Sequence, residues 1–75
     1  MPKKNPTCVK IGNYLQKRIR EKYKSNVEFA NVCNVAESTI RRILAGEQNI
    51  TIKVIEQICD VLEIKISDLF KEIGE

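Results

Sequence analysis

The side chains best suited to chemistry in this chain lie close together near its middle. Five polar residues recur there at helical spacing: Glu37, Ser38, Thr39, Arg41 and Arg42. A helix rises about 7.5 Å over five residues, so one exposed face could meet two or three successive base pairs. The chemistry that fits is hydrogen bonding to base edges. An arginine can bind guanine O6 and N7, and a glutamate can accept from a cytosine amino group.

Two features upstream predict that this stretch is the second of two short helices joined by a tight turn. Ser25 and Glu28 form the S-x-x-E pattern of a capping box, which starts a helix. Asn34 tolerates the left-handed conformation that ends one, and Gly46 ends the next helix, which we expect from about residue 36 to 45. An exposed arginine pair can also serve only solubility, but after a capped helix and a turn we favour base recognition. The role of Glu37 remains open, because its negative charge could interact with the helix dipole alone and contact no base.

The rest of the sequence predicts three further helices that would hold this pair. A first helix is indicated by apolar residues at steps of three or four: Cys8, Ile11, Leu15, Ile19 and Tyr23. Gly12 interrupts it at a cost of about 1 kcal/mol relative to Ala, which suggests that another helix approaches closely there. Thr51 caps a fourth helix, and a fifth runs from about residue 66 to 73. We therefore expect a compact all-α domain of five helices over residues 8–73, preceded by a basic, unstructured arm at residues 1–7.

Composition argues against catalysis and against bound cofactors. Histidine is absent, and the three cysteines are widely spaced without a CxxC pair. A Ser-His or Cys-His couple and a Cys/His zinc site are therefore not expected. No Gly-rich phosphate loop or carboxylate pair indicates an enzyme, a metal, a cofactor or a small-molecule ligand. Cys33 and Cys59 are expected to be core residues of a reduced, cytoplasmic protein.

The charge is unevenly distributed along the chain. Up to Lys24, eight Lys and Arg face one Glu, a net charge of +7, whereas from Ile43 onward three Lys face seven acids, a net charge of −4. The basic first part is suited to a polyanion, and the acidic last part is better placed away from it. No apolar run is long enough for a membrane span or a signal peptide, so no membrane partner is expected.

Four segments carry a resemblance to a known family. In order they are IGNYLQKRIREK, SNVEFA, NVAESTIRRILAGEQN and DVLEIKISDLF. Their order and spacing resemble the lambda-repressor-like (Cro/C1, XRE) helix-turn-helix family over residues 9–71, and GEQNIT is similar to the same segment of small restriction-modification controller proteins. The resemblance implies a five-helix bundle in which helices 2 and 3 form the DNA-binding motif, working as a dimer.

The resemblance also implies roles for single residues. Ser25 and Asn26 match positions that contact DNA phosphate, to which we add Asn49 in the loop after helix 3. The exposed positions of the family's recognition helix match Glu37, Ser38, Thr39, Arg41 and Arg42. Ala36 stands where the family usually has a Ser or Thr cap, so we expect this helix start to be weak, since a lost cap costs about 1 kcal/mol. Asn34 and Glu63 replace the family's usual turn glycines.

The sequence therefore predicts a sequence-specific transcriptional regulator, a repressor acting on the nucleoid, that binds a palindromic double-stranded DNA operator as a homodimer. Because the last helix is short and rich in large apolar residues, we expect its apolar side to form the dimer interface through Leu69, Phe70 and Ile73. A second interpretation stays open at this point. The chain could be a protein–protein module or an antitoxin-like partner that keeps the fold with weak or no DNA binding.

Overall fold

The computed structural model describes residues 6–47 and 51–74, and these residues form five α-helices. In chain order they are α1 (Pro6–Lys22), α2 (Asn26–Cys33), α3 (Glu37–Leu44), α4 (Ile52–Leu62) and α5 (Ile66–Glu72). The predicted all-α architecture is confirmed. The helix α1 begins two residues earlier than predicted, since a proline at the first helical position lacks only an N–H that would have no partner there. The rest of the predicted arm, residues 1–5, lies outside the described residues.

The core is built from one apolar stripe of each helix. Buried side chains from all five helices form one cluster, in which Phe29 has no exposed surface, and no polar or charged side chain is buried among the described residues. The helix α1 packs against α3 and α5, and α2 packs against α3 and α4. In α1 the predicted stripe is buried at Ile11, Leu15 and Ile19, whereas Cys8 and Tyr23 are half-buried at its ends. Tyr23 contacts Phe29 edge to face, with 5.1 Å between the ring centroids.

The turn between α2 and α3 closes as the sequence predicts. Asn34 adopts the left-handed conformation, with φ 60° and ψ 40°. The Val35 N–H then donates to the Ala30 carbonyl at 3.1 Å, which satisfies one of the last carbonyls of α2. Glu63 does the same after α4, with φ 59°, and the following N–H of Ile64 donates to Cys59 at 2.9 Å. Both positions therefore perform the task usually given to glycine.

The predicted role of α5 in dimerisation is wrong in its premise. Leu69 has no exposed surface and Ile73 is 8% exposed, so both side chains belong to the core of the single domain. The reason is that α5 packs on α1 and α4 together, and these two helices cover more apolar surface than one neighbour could. Phe70, the third predicted interface residue, is half-buried and packs against the same core.

Two of the cysteines are core residues, as predicted. Cys33 is 5% exposed and Cys59 is 1% exposed. Burial raises the pKa of the Cys33 thiol to about 11. It also raises the pKa of Cys59, where the negative charges of Asp60 and Glu56 add to the effect. In the part of the chain that the structure describes, no helix combines the length and apolar character needed to cross a bilayer.

Candidate nucleic-acid interface

The helix α3 is strongly two-sided. Ile40 and Ile43 are 0% and 3% exposed and fix the helix onto the core. The opposite side carries Ser38, Arg41 and Arg42, whose residues are exposed, while Glu37 and Thr39 are half-buried at its edges. The expected exposure is therefore observed for Ser38, Arg41 and Arg42 and only in part for Glu37 and Thr39. Their individual contacts with bases remain predictions.

Each arginine of α3 meets a carboxylate through the same nitrogen. Arg41 Nε lies 3.5 Å from Glu37 Oε2, one helical turn away. Arg42 Nε lies 3.3 Å from Glu47 Oε1, beyond the end of the helix. The arginine side chains are still 67% and 61% exposed, so the pairs do not cover them. Exposed ion pairs of this kind contribute about 0–1 kcal/mol each to stability.

The first turn of α3 lacks a side-chain cap, as expected from Ala36. Its backbone has the extended conformation of a capping residue, with φ −61° and ψ 139°, but it has no side-chain acceptor to offer. Glu37 lies in this first turn, where its negative charge interacts favourably with the helix dipole. This end of the helix can therefore gain a hydrogen-bond acceptor from outside the chain, such as a phosphate oxygen.

The N-terminus of α2 differs, because it has a side-chain cap. Ser25 Oγ accepts from the Glu28 N–H at 3.1 Å, which is the serine half of the predicted capping box. Beside it, Asn26 Oδ1 accepts from Arg20 Nη1 at 3.0 Å. That bond places the guanidinium of Arg20 at the start of α2, and it leaves the amide nitrogen of Asn26 pointing away from Arg20. The third predicted phosphate contact, Asn49, lies outside the described residues.

Two residues of this surface were not singled out from the sequence. Arg20 was one of several basic residues of the first helix, and only the fold shows that it bonds to Asn26. Glu47 lies five residues after Arg42 in the sequence, and only the turn at Gly46 brings it back to that arginine. Neither pair follows helical spacing of three or four residues, which is the signal that sequence patterns can carry.

The two helices and their turn form one unit. Residues 34–36 join α2 to α3, the two helices pack against each other, and the second helix keeps a polar side free. A helix pair of this kind is typical of DNA-binding proteins, in which the second helix enters the major groove. The family model of the Cro/C1-type HTH DNA-binding domain matches residues 14–75 of the chain.

The protein belongs to the Cro/C1-type helix-turn-helix family. This finding confirms the resemblance inferred from the sequence and the all-α fold that it implies. No curated protein matches the chain. The Cro/C1-type match includes α2, α3, α4 and α5, so both helices of the motif lie within a DNA-binding domain.

The candidate surface of this Cro/C1-type domain thus has two parts. The start of α2 carries a capped helix end and the Arg20–Asn26 hydrogen bond. The polar side of α3 carries an uncapped first turn and two exposed arginines, each with a carboxylate beside its Nε. Both parts therefore present guanidinium groups that can donate hydrogen bonds to a nucleic acid.

Proposed function

We propose that the protein is a transcriptional repressor that binds a palindromic operator as a homodimer and reads each half-site with α3. The observation that supports this most directly is the polar side of α3, where Arg41 and Arg42 project over the buried Ile40 and Ile43. The major groove of B-DNA is about 12 Å wide and accepts one α-helix. There the two arginines would bind guanine, Glu37 would accept from cytosine, and Ser38 and Thr39 would contact base or phosphate.

The phosphate backbone would be held by the start of α2. Arg20 supplies a positive charge, the Asn26 amide supplies a donor, and the Ser25 hydroxyl keeps its hydrogen while its oxygen caps the helix. Contacts of this kind set the register of the protein on the duplex and supply most of the non-specific affinity. The basic charge of residues 1–24 points to the same polyanion.

The small size of the domain supports the proposal that it binds DNA as a dimer. One such module buries about 600–1,000 Å² on DNA, so a single copy binds poorly. The fold extends 29 × 26 × 20 Å between its outermost Cα atoms, and successive half-sites lie about 34 Å apart. With side chains added, two copies on one face of the duplex would touch each other. A protein dimer bound to an operator blocks the access of polymerase, which is why we propose repression. The proposed location is the nucleoid, in the cytoplasm.

Selection of bound duplexes from a random pool tests the proposal. A palindromic motif whose half-sites lie one helical turn apart should be enriched. Affinity for it should fall steeply with salt, with a log–log slope near −0.9 per phosphate contact. Sedimentation of the protein with one such duplex should give two copies per operator. If no motif is enriched, the proposed sequence-specific function is wrong. If only one copy binds each operator, the proposed homodimer is wrong.

A second candidate function is a protein–protein module that keeps the fold with weak DNA binding. The ion pairs of Arg41 and Arg42 favour this second function, because Glu37 and Glu47 lower the positive charge of the α3 surface. The same salt titration separates the two functions. Binding of a protein partner through apolar contacts would hardly respond to salt, whereas operator binding loses orders of magnitude in affinity.

A further inference from the structure

The turn that ends α3 brings Glu47 back beside Arg42. The Glu47 N–H donates to the Arg42 carbonyl at 3.3 Å, and the Gly46 N–H donates to the Ile43 carbonyl at 3.0 Å. This pair of bonds is the Schellman motif, and it needs the left-handed backbone that Gly46 adopts, with φ 81°. Gly46 is also buried against Val9 of α1, to which a Cβ at position 46 would come within 2.7 Å. The backbone of Glu47 is therefore fixed relative to Arg42.

The side chains of these two residues continue the arrangement. Arg42 Nε donates to Glu47 Oε1 at 3.3 Å, and the Glu47 side chain is only 25% exposed while that of Arg42 is 61% exposed. A guanidinium has five N–H donors in a planar fork. When Nε donates to the carboxylate, the outer N–H groups at the end of the fork, one on each terminal nitrogen, are left for another acceptor. A guanine edge offers two acceptors, O6 and N7, to such a pair.

We propose that Glu47 is a positioning residue for Arg42, holding its guanidinium so that both terminal nitrogens meet one guanine of each half-site. The inference depends on the proposed function, because it assigns Arg42 to a base pair. Glu47 itself touches no base. It acts by ordering a long side chain before binding, and ordering such a side chain otherwise costs affinity when the complex forms.

An acidic residue at this place needs such an explanation. Its charge opposes binding to the phosphate backbone, and an exposed ion pair contributes little to stability. The second pair of the helix, Arg41 with Glu37, differs in kind. It joins two residues one turn apart in one helix, its atoms are 3.5 Å apart, and the Glu37 side chain is 34% exposed. The carboxylate of Glu47 is thus closer to its arginine and better shielded from water than that of Glu37.

The test uses the operator enriched by the wild-type protein and duplexes that carry single base-pair changes. Glu47→Ala should reduce discrimination at one base pair of each half-site by about three- to tenfold, the effect of leaving one rotamer-rich side chain unordered. Glu47→Gln keeps an acceptor oxygen for Arg42 Nε and should retain most of that discrimination. In the Arg42→Ala background, Glu47→Ala should have no further effect at that base pair. Discrimination is a ratio within one variant, so it does not depend on the fraction folded.

Glu21→Ala is the matched control. Glu21 forms an exposed ion pair with Arg18 on α1, at 3.6 Å, so its removal changes the net charge and the number of pairs in the same way. Both alanine variants should bind non-specific DNA more tightly, but only Glu47→Ala should lose discrimination. If discrimination is unchanged in Glu47→Ala, or rises because Glu47 competes with the base, the inference is wrong while the proposed function stands. If the wild-type protein enriches no sequence, both are wrong.

Discussion

Gly12 lies against the backbone of Ile43, where α1 packs on the end of α3. A Cβ atom at position 12 would lie 2.7 Å from the Ile43 carbonyl oxygen and 2.9 Å from that of Leu44. These distances are shorter than side chains tolerate, and the atoms belong to backbone, so no rotamer change can relieve them. The absence of a side chain at Gly12 therefore sets how closely α3 sits on α1, and with it the position of Arg41 and Arg42.

Gly12→Ala should destabilise the protein although alanine is the better helix former. Helix propensity favours the substitution by about 1 kcal/mol, while overlap with well-packed neighbours costs about 1–3 kcal/mol or more. Because the overlap is with backbone, we expect a net loss of about 1–2 kcal/mol in urea unfolding. Asn13→Ala, at an exposed neighbouring position of α1, should change stability by less than about 0.5 kcal/mol. Equal or higher stability of Gly12→Ala would contradict the close approach.

The close approach at Gly12 could be predicted because a glycine inside an amphipathic helix is a local conflict that needs a reason. The same holds for Asn34, whose left-handed conformation the residue type announces. Signals of this kind lie in single residues or in fixed spacings, and they predicted the five helices, the turn and the polar side of α3. Local physics therefore determined most of the framework of the site.

The errors arose where several elements act together. Leu69 and Ile73 looked like surplus apolar surface because a short helix was considered against one neighbour, but α5 rests on α1 and α4. Similarly, Arg20 reaches Asn26 across the end of α1, and Glu47 reaches Arg42 across a turn. Contacts between separate elements depend on the directions in which the helices leave their turns, and no periodicity in the sequence records those directions.

Ala36→Ser should stabilise the protein by supplying the missing cap of α3. The backbone at position 36 is already extended, as it is at Ser25 and Thr51, whose hydroxyl oxygens accept from the N–H three residues later at 3.1 and 3.2 Å. A cap of this kind contributes about 1 kcal/mol, measurable in urea unfolding. Thr51→Ala should lose a similar amount and serves as the reverse control. No gain from Ala36→Ser would show that the N–H groups of the first turn are already satisfied.

Arg42→Ala should relax sequence preference at one position of each half-site. A bidentate arginine–guanine contact provides about 1–3 kcal/mol of discrimination, and its loss should leave the other positions of the operator unchanged. Competition binding with duplexes bearing single base-pair changes measures this. Uniform weakening at all positions would show that Arg42 contacts phosphate and reads no base.

Asn26→Ala should weaken binding to all duplexes about equally. The substitution removes the amide donor at the start of α2 and the acceptor that holds Arg20 at 3.0 Å. Since both groups face phosphate in our proposal, the salt dependence should become shallower by about one phosphate contact. Asn31→Ala, an exposed residue of the same type near the other end of α2, should bind like the wild type. A change in base preference for Asn26→Ala would contradict its phosphate role.

The buried thiol of Cys33 should make stability depend on pH in the alkaline range. Burial disfavours the thiolate and raises the pKa of Cys33 from 9.0 to about 11. Below pH 9.0 the thiol is neutral in both states and has no effect. Above it the unfolded chain releases the proton first, so stability falls by about 1.4 kcal/mol per pH unit until the folded thiol also ionises near pH 11.

The effect is isolated by comparison with Cys33→Ala, because every other titratable group is common to both proteins. Between about pH 8 and about pH 11, urea unfolding should show that the wild type loses about 2 kcal/mol more than Cys33→Ala. At pH 8 the Cys33→Ala variant should be less stable than the wild type, because the substitution leaves a small cavity. The free-energy cost of this cavity does not depend on pH. Parallel losses in the two proteins would mean that water reaches the thiol, and that the core beneath the turn between α2 and α3 is open.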